Sequence, residues 1–413
     1  MKRLLFMLFS IGLLTTGLSQ DTPLLIPFST TDDVDLKRSF SERIQSATIV
    51  GLGESTHYTK ECYDLKFTLI QQLIEEGFNA LVLEVDFGQA LLWNRYVTYN
   101  EGNLDSLIAS SGWFTYRTEE FKRLLKSIHD YNLTAEEPFQ LAGMEMTAIN
   151  HNLTWMQSFL DELGLKSAVL DSILHHEVPS IAFYNHSSAD RKAYWSLFLE
   201  LEDLLPKRTV ASAKLSSLGV AYRMLEIFRQ YATYVSQDDF SLKVELRDQF
   251  SSRNVLWVLD EFGIDGRIVL WAHNGHVARN APMSNYAVLG THLSRWFGDA
   301  YYSVGFTFNK GTFGSFGPDG FENFAISERD TSFWTNAFIA TERPFLLVDV
   351  RSNLNKTSGL RSDLRNEHTI RTDAGESFNA DVPTTMSLVL GDTYDALIYF
   401  NTSHTPTSVP WKN

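Results

Sequence analysis

The segment 49-IVGLGESTHYTKE-61 decides how the rest of the chain is interpreted. A short apolar run over residues 47–52 ends at a glycine-rich turn, and Glu54 and His57 follow directly. Continuously apolar runs of this length are typical of strands buried on both faces of a parallel sheet. The segment therefore predicts a buried strand whose carboxyl end carries a carboxylate and an imidazole.

Similar apolar runs recur along the chain and are predicted to be strands: 47–52, 80–85, 139–146, 267–272, 301–308, 345–350 and 395–400. Helical patterns separate them. Residues 59–76, for example, place apolar side chains at helical spacing, and Gly77 is a suitable stop. We expect an α/β fold with a mostly parallel central sheet flanked by helices, built from right-handed βαβ units.

Residues 151–263 interrupt this pattern, because they contain almost no strand-like run and several amphipathic helical patterns. We interpret them as a large helical insertion between two strands, serving as a lid or a substrate-binding layer. The glycine- and serine-rich segment 309-NKGTFGSFGPDG-320 is expected to be a loop. Residues 21–413 would then form one α/β hydrolytic domain that includes the insertion.

Residues 1–20 have the layout of a signal peptide. A positively charged start precedes an apolar run over 4–18, which is too short to span a bilayer comfortably. Cleavage is expected near residues 19–21, and the mature protein is expected to be exported, either to the periplasm or to the medium. No later apolar segment reaches the roughly 18 residues of a membrane span, so no membrane association is expected after cleavage.

The composition narrows the classes of partner. The 413 residues are 44% hydrophobic and 13% aromatic, which is enough for a large core, so disorder is not expected. A formal charge of −15 argues against nucleic acid or an anionic membrane as a partner, since both require a basic surface. Cys62 is the only cysteine and permits no internal disulfide.

Titratable residues follow four of the predicted strands: Glu54 and His57, Glu84 and Asp86, Glu145, and His273 and His276. In parallel α/β sheets, ligands bind beyond the carboxyl ends of the strands, so these side chains are expected to meet at one edge. Each residue alone has a structural explanation, such as a helix cap, an ion pair or a core histidine. Their joint occurrence at strand ends favours a functional site.

Several carboxylates and histidines in one cleft pose an electrostatic problem, because like charges at close range cannot all be ionised cheaply. Either a metal ion neutralises them, as in a metal-assisted hydrolase, or protons are shared between histidine and glutamate, which suits general acid–base catalysis. Composition and spacing are compatible with both.

Common catalytic and nucleotide-binding motifs do not account for the turn. Gly51 and Gly53 allow close backbone approach, but no third glycine completes a dinucleotide fingerprint. The chain has no P-loop, no G-x-S-x-G elbow and no H-E-x-x-H zinc pair. Ser55 lies close to His57 but lacks the context of a nucleophilic serine.

The stretch 51-GLGESTHYTKECYDLK-66 resembles the opening motif of the erythromycin esterase family, with Tyr58 where that family usually has glycine. The resemblance continues through 79-NALVLEVD-86, 143-GMEM-146, 246-LRDQFSSRNVLWVL-259, 269-VLWAHNGHV-277, 303-SVGFTFNKGTF-313 and 395-DALIYFNTSHTPT-407. It thus covers nearly the whole mature chain.

This resemblance implies hydrolysis of the lactone ester of a macrolide, which inactivates the antibiotic and confers resistance, without a metal or other cofactor. It implies that His57 is the general base and that Glu54 and Glu84 position water or tune His57. It also implies that His273 and His276 stabilise the oxyanion or protonate the leaving alcohol. The partner would be a small-molecule ester, and the remaining candidates would contact it: Tyr58, Asp86 and Glu145.

Two other functions remain open at this point. One is a metal-dependent hydrolase of envelope peptides or phosphoesters, which elemental analysis would detect through bound metal. The other is a non-catalytic ligand-binding protein of the envelope, for which substitution of His57 would leave function intact.

Overall fold

The computed structural model describes residues 23–411 except 176–185, 208–216, 262, 264, 281–285, 318–319, 328–331 and 372–384. The signal peptide predicted for residues 1–20 lies outside the described residues. In the part of the chain that is described, no helix combines the length and apolar character that crossing a bilayer requires.

The central sheet contains nine strands from the described residues: β1 (Leu25–Phe28), β2 (Ile49–Leu52), β3 (Ala80–Asp86), β4 (Gln140–Glu145), β5 (Ile268–Trp271), β6 (Tyr301–Gly317), β7 (Gly320–Ile326), β8 (Phe345–Asp349) and β11 (Ala396–Ser403). Their order is β1-β8-β11-β6-β2-β5-β3-β4, and β7 pairs with β6. The six strands from β11 to β4 are mutually parallel, whereas β1, β8 and β7 pair antiparallel. Strands β9 (Glu367–Arg371) and β10 (Thr385–Val389) form a separate pair. The predicted mostly parallel α/β sheet is confirmed.

Helices cover both faces of this sheet: α1 (Val34–Ile44), α2 (Lys60–Glu75), α3 (Phe87–Tyr99), α4 (Leu104–Ala109), α5 (Glu119–Asn132), α6 (Asn150–Glu162), α7 (Ala168–His175), α8 (Ser188–Leu204), α9 (Ser217–Val235), α10 (Phe240–Glu261), α11 (Asn274–Val277), α12 (Leu289–Phe297), α13 (Phe333–Ile339) and α14 (Leu390–Thr393). Short 3-10 turns occur at Phe114–Tyr116, Gly298–Ala300, Arg351–Asn353 and Gly359–Arg365.

The two faces of the sheet form two separate cores. Along β3, Leu81 and Leu83 pack with α2 and α5 on one face, while Ala80 and Val82 pack with α10 and α12 on the other. Successive side chains of a strand point to opposite faces, so both sets must be apolar to be buried. This explains why the strands have continuous apolar runs in the sequence rather than alternation.

The described part of 151–263 folds as helices between β4 and β5, as the predicted fold class requires. Helices α6, α7, α8 and α9 share a third apolar core with side chains such as Met156, Leu197 and Phe228. Helix α10 then returns to the sheet and packs against β4. The insertion therefore has its own core, and α10 connects it to the strand ends.

The expectation of a loop over 309–320 is wrong. Strand β6 continues to Gly317 and forms a hairpin with β7, whose register runs from Gly311–Ile326 to Gly317–Gly320. Gly311 has a φ of 124°, and a Cβ there would lie 2.1 Å from the carbonyl oxygen of Ser403. The glycine is thus required where β6 leaves β11 and begins to pair with β7, which is a structural use that resembles a loop signal in sequence.

Candidate active site

The turn between β2 and α2 brings a carboxylate and an imidazole into contact. Oε1 of Glu54 lies 2.7 Å from Nδ1 of His57, and both side chains are buried. Gly53 allows this turn to approach the neighbouring β5–α11 connection, since a Cβ there would lie 2.3 Å from Oδ1 of Asn274. The glycine therefore lets two strand ends meet.

The second carboxylate oxygen of Glu54 is held by two further donors. Oε2 accepts from Nζ of Lys66 at 2.6 Å and from Nε1 of Trp271 at 2.7 Å. Lys66 is fully buried on α2, with its ammonium 4.2 Å from the centre of the Trp271 ring. Burial opposes ionisation of Glu54, but Lys66 and His57 outweigh it and hold the pKa of Glu54 at about 2. Glu54 is therefore a carboxylate at neutral pH and can only accept hydrogen bonds.

Asn274 fixes the turn that follows β5. Its side chain donates to the carbonyl of Phe306 at 2.7 Å and accepts from the Phe306 amide at 3.0 Å, while its own amide donates to Glu54 O at 3.0 Å. Asn274 thus joins the turn after β5 to β6 through its side chain and to the turn after β2 through its backbone amide. The histidines on either side of it, His273 and His276, are held by this clamp.

His273 lies beside His57, with 4.9 Å between the ring centres. It is the N-cap of α11, where its Nδ1 accepts from the amide of Gly275 at 3.3 Å. Since a neutral imidazole that accepts at Nδ1 carries its proton on Nε2, this contact assigns the tautomer of His273. Nδ1 therefore has opposite roles in the two adjacent histidines, since in His57 it donates to Glu54 and in His273 it accepts from Gly275.

Arg247 on α10 joins the carboxylates that end β3 and β4. Its guanidinium donates to Glu84 at 2.8 Å and to Glu145 at 3.0 Å. Glu145 also accepts from the hydroxyl of Thr147 at 2.9 Å, and Glu84 accepts from the backbone amide of His273 at 2.8 Å. Glu84 therefore links the arginine to the turn that carries His273.

His276 is positioned between two carboxylates. Its Nδ1 lies 2.6 Å from Asp248, and its Nε2 lies 3.2 Å from Glu84. Burial opposes protonation of His276, but Asp248 and Glu84 raise its pKa well above the usual value. The pKa of Glu84 is held well below its ordinary value, because His276 and Arg247 outweigh the cost of burial. His276 is accordingly an imidazolium at neutral pH.

Six of the predicted residues lie in this connected cluster at the carboxyl edge of the sheet: Glu54, His57, Glu84, Glu145, His273 and His276. Tyr58 and Asp86 lie beside it and make different contacts. Tyr58 is buried, with its ring 5.1 Å from that of Phe321. Asp86 caps α3 through the amide of Gln89 at 2.9 Å and accepts from the Trp113 indole at 3.0 Å.

Sequence reasoning did not assign roles to three residues that carry the electrostatics: Lys66, Arg247 and Asp248. Lys66 follows Cys62 by four residues and precedes Leu69 by three, so it is a lysine on the apolar face of α2. A basic residue on the apolar face of a helix indicates a buried ion pair. Arg247 and Asp248 both lie within a motif quoted above, but nothing in that motif indicates which strand ends they reach.

The structure gives a third solution to the electrostatic problem, besides a metal ion and shared protons. The cations beside the carboxylates are side chains of the protein: Lys66, Arg247 and His276. In the described ranges, no group of three or more His, Cys, Asp or Glu residues has an arrangement that could hold a metal ion.

A buried carboxylate–imidazole pair beside a second histidine, at the strand ends of an α/β sheet, is the arrangement of an acid–base enzyme.

The sequence model of the erythromycin esterase family matches residues 74–403, so the chain belongs to the erythromycin esterase family. The match begins after the Glu54–His57 turn. The chain is similar to erythromycin esterase type II of Escherichia coli, with 21% identity over 333 residues that cover 72% of this chain and 79% of that one. Proteins of this family hydrolyse esters, and the chain is accordingly a hydrolase acting on ester bonds.

Solved structures share the fold. A Bacillus cereus protein superposes with a TM-score of 0.76 at 23% identity, covering 93% of this chain and 96% of that one. A protein described as a succinoglycan biosynthesis protein gives 0.76 at 18% identity, covering 94% and 96%. A mutant of the erythromycin esterase EreC in its open conformation gives 0.67 at 18% identity, covering 93% and 99%. The architecture described above is thus common to these proteins.

Proposed function

We propose that the protein is an exported hydrolase that cleaves a carboxylic ester, a macrolide lactone or a similarly bulky ester, with water activated by His57 and without a metal. The observation that carries this proposal is the buried contact of 2.7 Å between Glu54 and His57, in which Glu54 also accepts a hydrogen bond from Lys66. Other side chains of the cluster support the mechanism through charge and orientation.

The first step is proton removal from water. Glu54 is ionised and accepts the Nδ1 proton of His57, which places the lone pair of the neutral imidazole on Nε2. His57 Nε2 takes a proton from water as the water oxygen forms a bond with the ester carbonyl carbon. The product of this step is a tetrahedral oxyanion beside an imidazolium on His57, which Glu54 stabilises.

The second step breaks the ester. Nε2–H of His273 donates a hydrogen bond to the oxyanion, since its tautomer places the proton there. When the intermediate collapses, the bond between the carbonyl carbon and the alcohol oxygen breaks. His57 returns its proton to the leaving alkoxide, so the products are an alcohol and a carboxylic acid. For a lactone, both groups remain in one opened molecule.

Glu84, Arg247 and His276 act through position and charge. Both nitrogens of His276 are engaged by carboxylates, so we assign it to neutralising Glu84 and Asp248 rather than to proton donation. Glu84 in turn holds the backbone of His273. Asp86 and Glu145 contribute to substrate binding indirectly, through Trp113 and Arg247 respectively.

Substrate class and location are part of the proposal. The family match and the E. coli relative named for erythromycin support a macrolide or another bulky ester. The charged start and apolar run of residues 1–20 support export to the periplasm or secretion. A macrolide esterase in either place would act on the antibiotic before it reaches the cytoplasm.

The test is a hydrolysis screen with purified protein, macrolides of different ring sizes and simple aryl esters, followed by mass spectrometry. We expect a mass gain of one water with at least one macrolide and loss of turnover in His57→Ala. A matched His175→Ala variant, changed at an exposed histidine of α7, should keep full activity. Hydrolysis of simple esters alone would reject a macrolide as the substrate. Turnover by His57→Ala would reject His57 as the group that activates water.

A further inference from the structure

Four aromatic side chains form a contiguous cluster next to the catalytic turn, here called the aromatic patch: Tyr58, Phe114, Phe316 and Phe321. Ring centres lie 5.1 Å apart for Tyr58–Phe321, 4.6 Å for Phe114–Phe321 and 5.1 Å for Phe114–Phe316. Tyr58 is buried beneath the cluster, but 42% of Phe316 and 38% of Phe321 remain exposed. The patch thus has a buried base and an exposed apolar surface.

The patch is part of the regular structure of the protein. Phe316 and Phe321 are register partners across the β6–β7 hairpin. The amide of Gly314 donates to the carbonyl of Tyr58 at 3.0 Å, and a Cβ on Gly314 would lie 2.6 Å from the Tyr58 ring. The hairpin is therefore bonded directly to the residue that follows His57, and its aromatic side chains have a fixed position relative to that histidine.

The segment that carries Phe114 is bound to the same strand ends. The adjacent Trp113 donates from its indole to Asp86 at 3.0 Å, and the hydroxyl of Tyr116 donates to Glu84 O at 3.3 Å. Tyr63 on α2 donates to the carbonyl of His57 at 2.9 Å and also to the carbonyl of Thr115. Both halves of the patch are thus anchored to the ends of β2 and β3, where the catalytic groups lie.

The catalytic cluster itself is composed of charged and polar groups, which can act on an ester bond but offer little contact to an apolar substituent. Binding sites for small molecules combine a few directed polar groups with aromatic walls, and exposed apolar surface beside such groups marks a binding surface. We propose that the aromatic patch binds the apolar group of the ester substrate and that Phe316 and Phe321 determine selectivity for bulky apolar esters. This inference rests on the proposed function and names the part of the site that recognises the substrate.

The experiment compares p-nitrophenyl acetate with p-nitrophenyl hexanoate, which share a leaving group and differ in the length of the apolar acyl chain. In the double variant Phe316→Ala/Phe321→Ala, the ratio of kcat/KM for hexanoate over acetate should fall about tenfold, mainly through KM for hexanoate. Trp296→Ala is the matched control, because it removes an aromatic residue of similar exposure at the end of α12. Its ratio should equal that of the wild type.

An unchanged ratio in the double variant overturns the inference and leaves the hydrolase proposal standing. If the wild-type protein hydrolyses neither ester, the proposed function is in question, and the patch is tested by binding alone. In a His57→Ala background, calorimetry with ethyl phenylacetate should show binding that the double substitution removes. Equal binding with and without the two phenylalanines overturns the inference. The inference is also overturned if the double variant keeps its ester selectivity but no longer sediments with phosphatidylglycerol vesicles as the wild type does. The patch would then be a membrane-contact surface.

Discussion

Nζ of Lys66 lies 2.6 Å from Oε2 of Glu54, although both side chains are almost completely buried. This ion pair places a cation next to the catalytic turn, so Glu54 stays ionised while it holds His57. Burial also lowers the pKa of Lys66, despite the opposing effect of Glu54. Part of the Coulombic gain is therefore offset at neutral pH, as expected for a desolvated ion pair.

Replacing Glu54 with glutamine should abolish most turnover with little change in KM. Lys66 and Trp271 both donate to Oε2, so the glutamine amide group would face His57 and donate to its Nδ1. The His57 proton would then move to Nε2, where the base is needed. We expect kcat to fall by about 10³- to 10⁴-fold, the scale seen when a catalytic histidine loses its orienting carboxylate. Steady-state kinetics on one aryl ester measures this, and a drop of less than tenfold would contradict it.

Removing the buried cation should destabilise the protein and change the ionisation of Glu54. Lys66→Met leaves Glu54 buried and uncompensated, so its pKa rises and the protein loses about 3–5 kcal/mol of stability. In the Lys66→Met protein that remains folded, the acidic limb of the plot of kcat/KM against pH should move to higher pH.

The double variant Lys66→Met/Glu54→Gln is the control for Lys66→Met and completes a double-mutant cycle. It removes both charges, so stability measured by urea unfolding should recover by several kcal/mol relative to Lys66→Met. Activity should stay lost because the orienting carboxylate is absent. Stability that does not recover in the double variant would mean that Lys66 acts through packing alone.

Acid should weaken the fold through Glu54. The pKa of this carboxyl is about 2 in the folded protein, below its ordinary value of 4.5, so its contribution is complete above pH 4.5 and disappears as pH falls towards 2. The contribution is roughly 3 kcal/mol at neutral pH. The difference in unfolding free energy between the wild type and Glu54→Gln should therefore shrink over this interval. A difference that is constant with pH would show that the glutamine acts through lost packing.

Chelators should leave turnover unchanged. The carboxylates of the site are already neutralised by Lys66, Arg247 and His276. Dialysis against EDTA and then 1,10-phenanthroline should therefore keep kcat/KM within about twofold, and elemental analysis should find less than stoichiometric metal. Loss of activity that added Zn²⁺ or Mn²⁺ restores would favour the metal-dependent alternative.

Asn274→Ala should reduce kcat much more than it changes KM. The substitution removes both hydrogen bonds to the backbone of Phe306, so the turn that carries His273 and His276 loses its clamp. Asn353→Ala is a matched control, because Asn353 is also buried and uses its amide as donor to Asp349 O and acceptor from Arg361. Both variants should lose similar stability in thermal unfolding, but the control should keep its kcat. Equal effects on kcat would assign Asn274 a purely structural role.

The architecture could be predicted because it depends on local patterns. A strand buried on both faces must be apolar throughout, and six such strands in parallel place their carboxyl ends at one edge. This is why Glu54, Glu84 and His273 could be grouped from the sequence although they lie far apart in it. The same reasoning predicted α2 to within a residue at each end.

The parts that could not be predicted depend on contacts between distant segments. Arg247 reaches Glu84 and Glu145 only because α10 returns from the insertion to pack against β4. The sequence suggested a metal ion or shared protons as the means of neutralising these carboxylates, and neutralisation by an arginine was not among them. Gly311 shows a different limit, because a glycine required by close approach of two strands has the same sequence signal as a glycine in a loop.

The change of pairing partner at Gly311 separates two tasks along one strand. Before it, β6 pairs with β2 and β11 and supports the catalytic turn, and after it the strand pairs with β7 alone. The hairpin is joined to the catalytic turn by the contacts of Gly314 and Phe321 with Tyr58, and to the core by the buried Phe313. A designer could vary the exposed side chains of this hairpin, with those contacts kept, to obtain hydrolases of altered ester preference on an unchanged chemical centre.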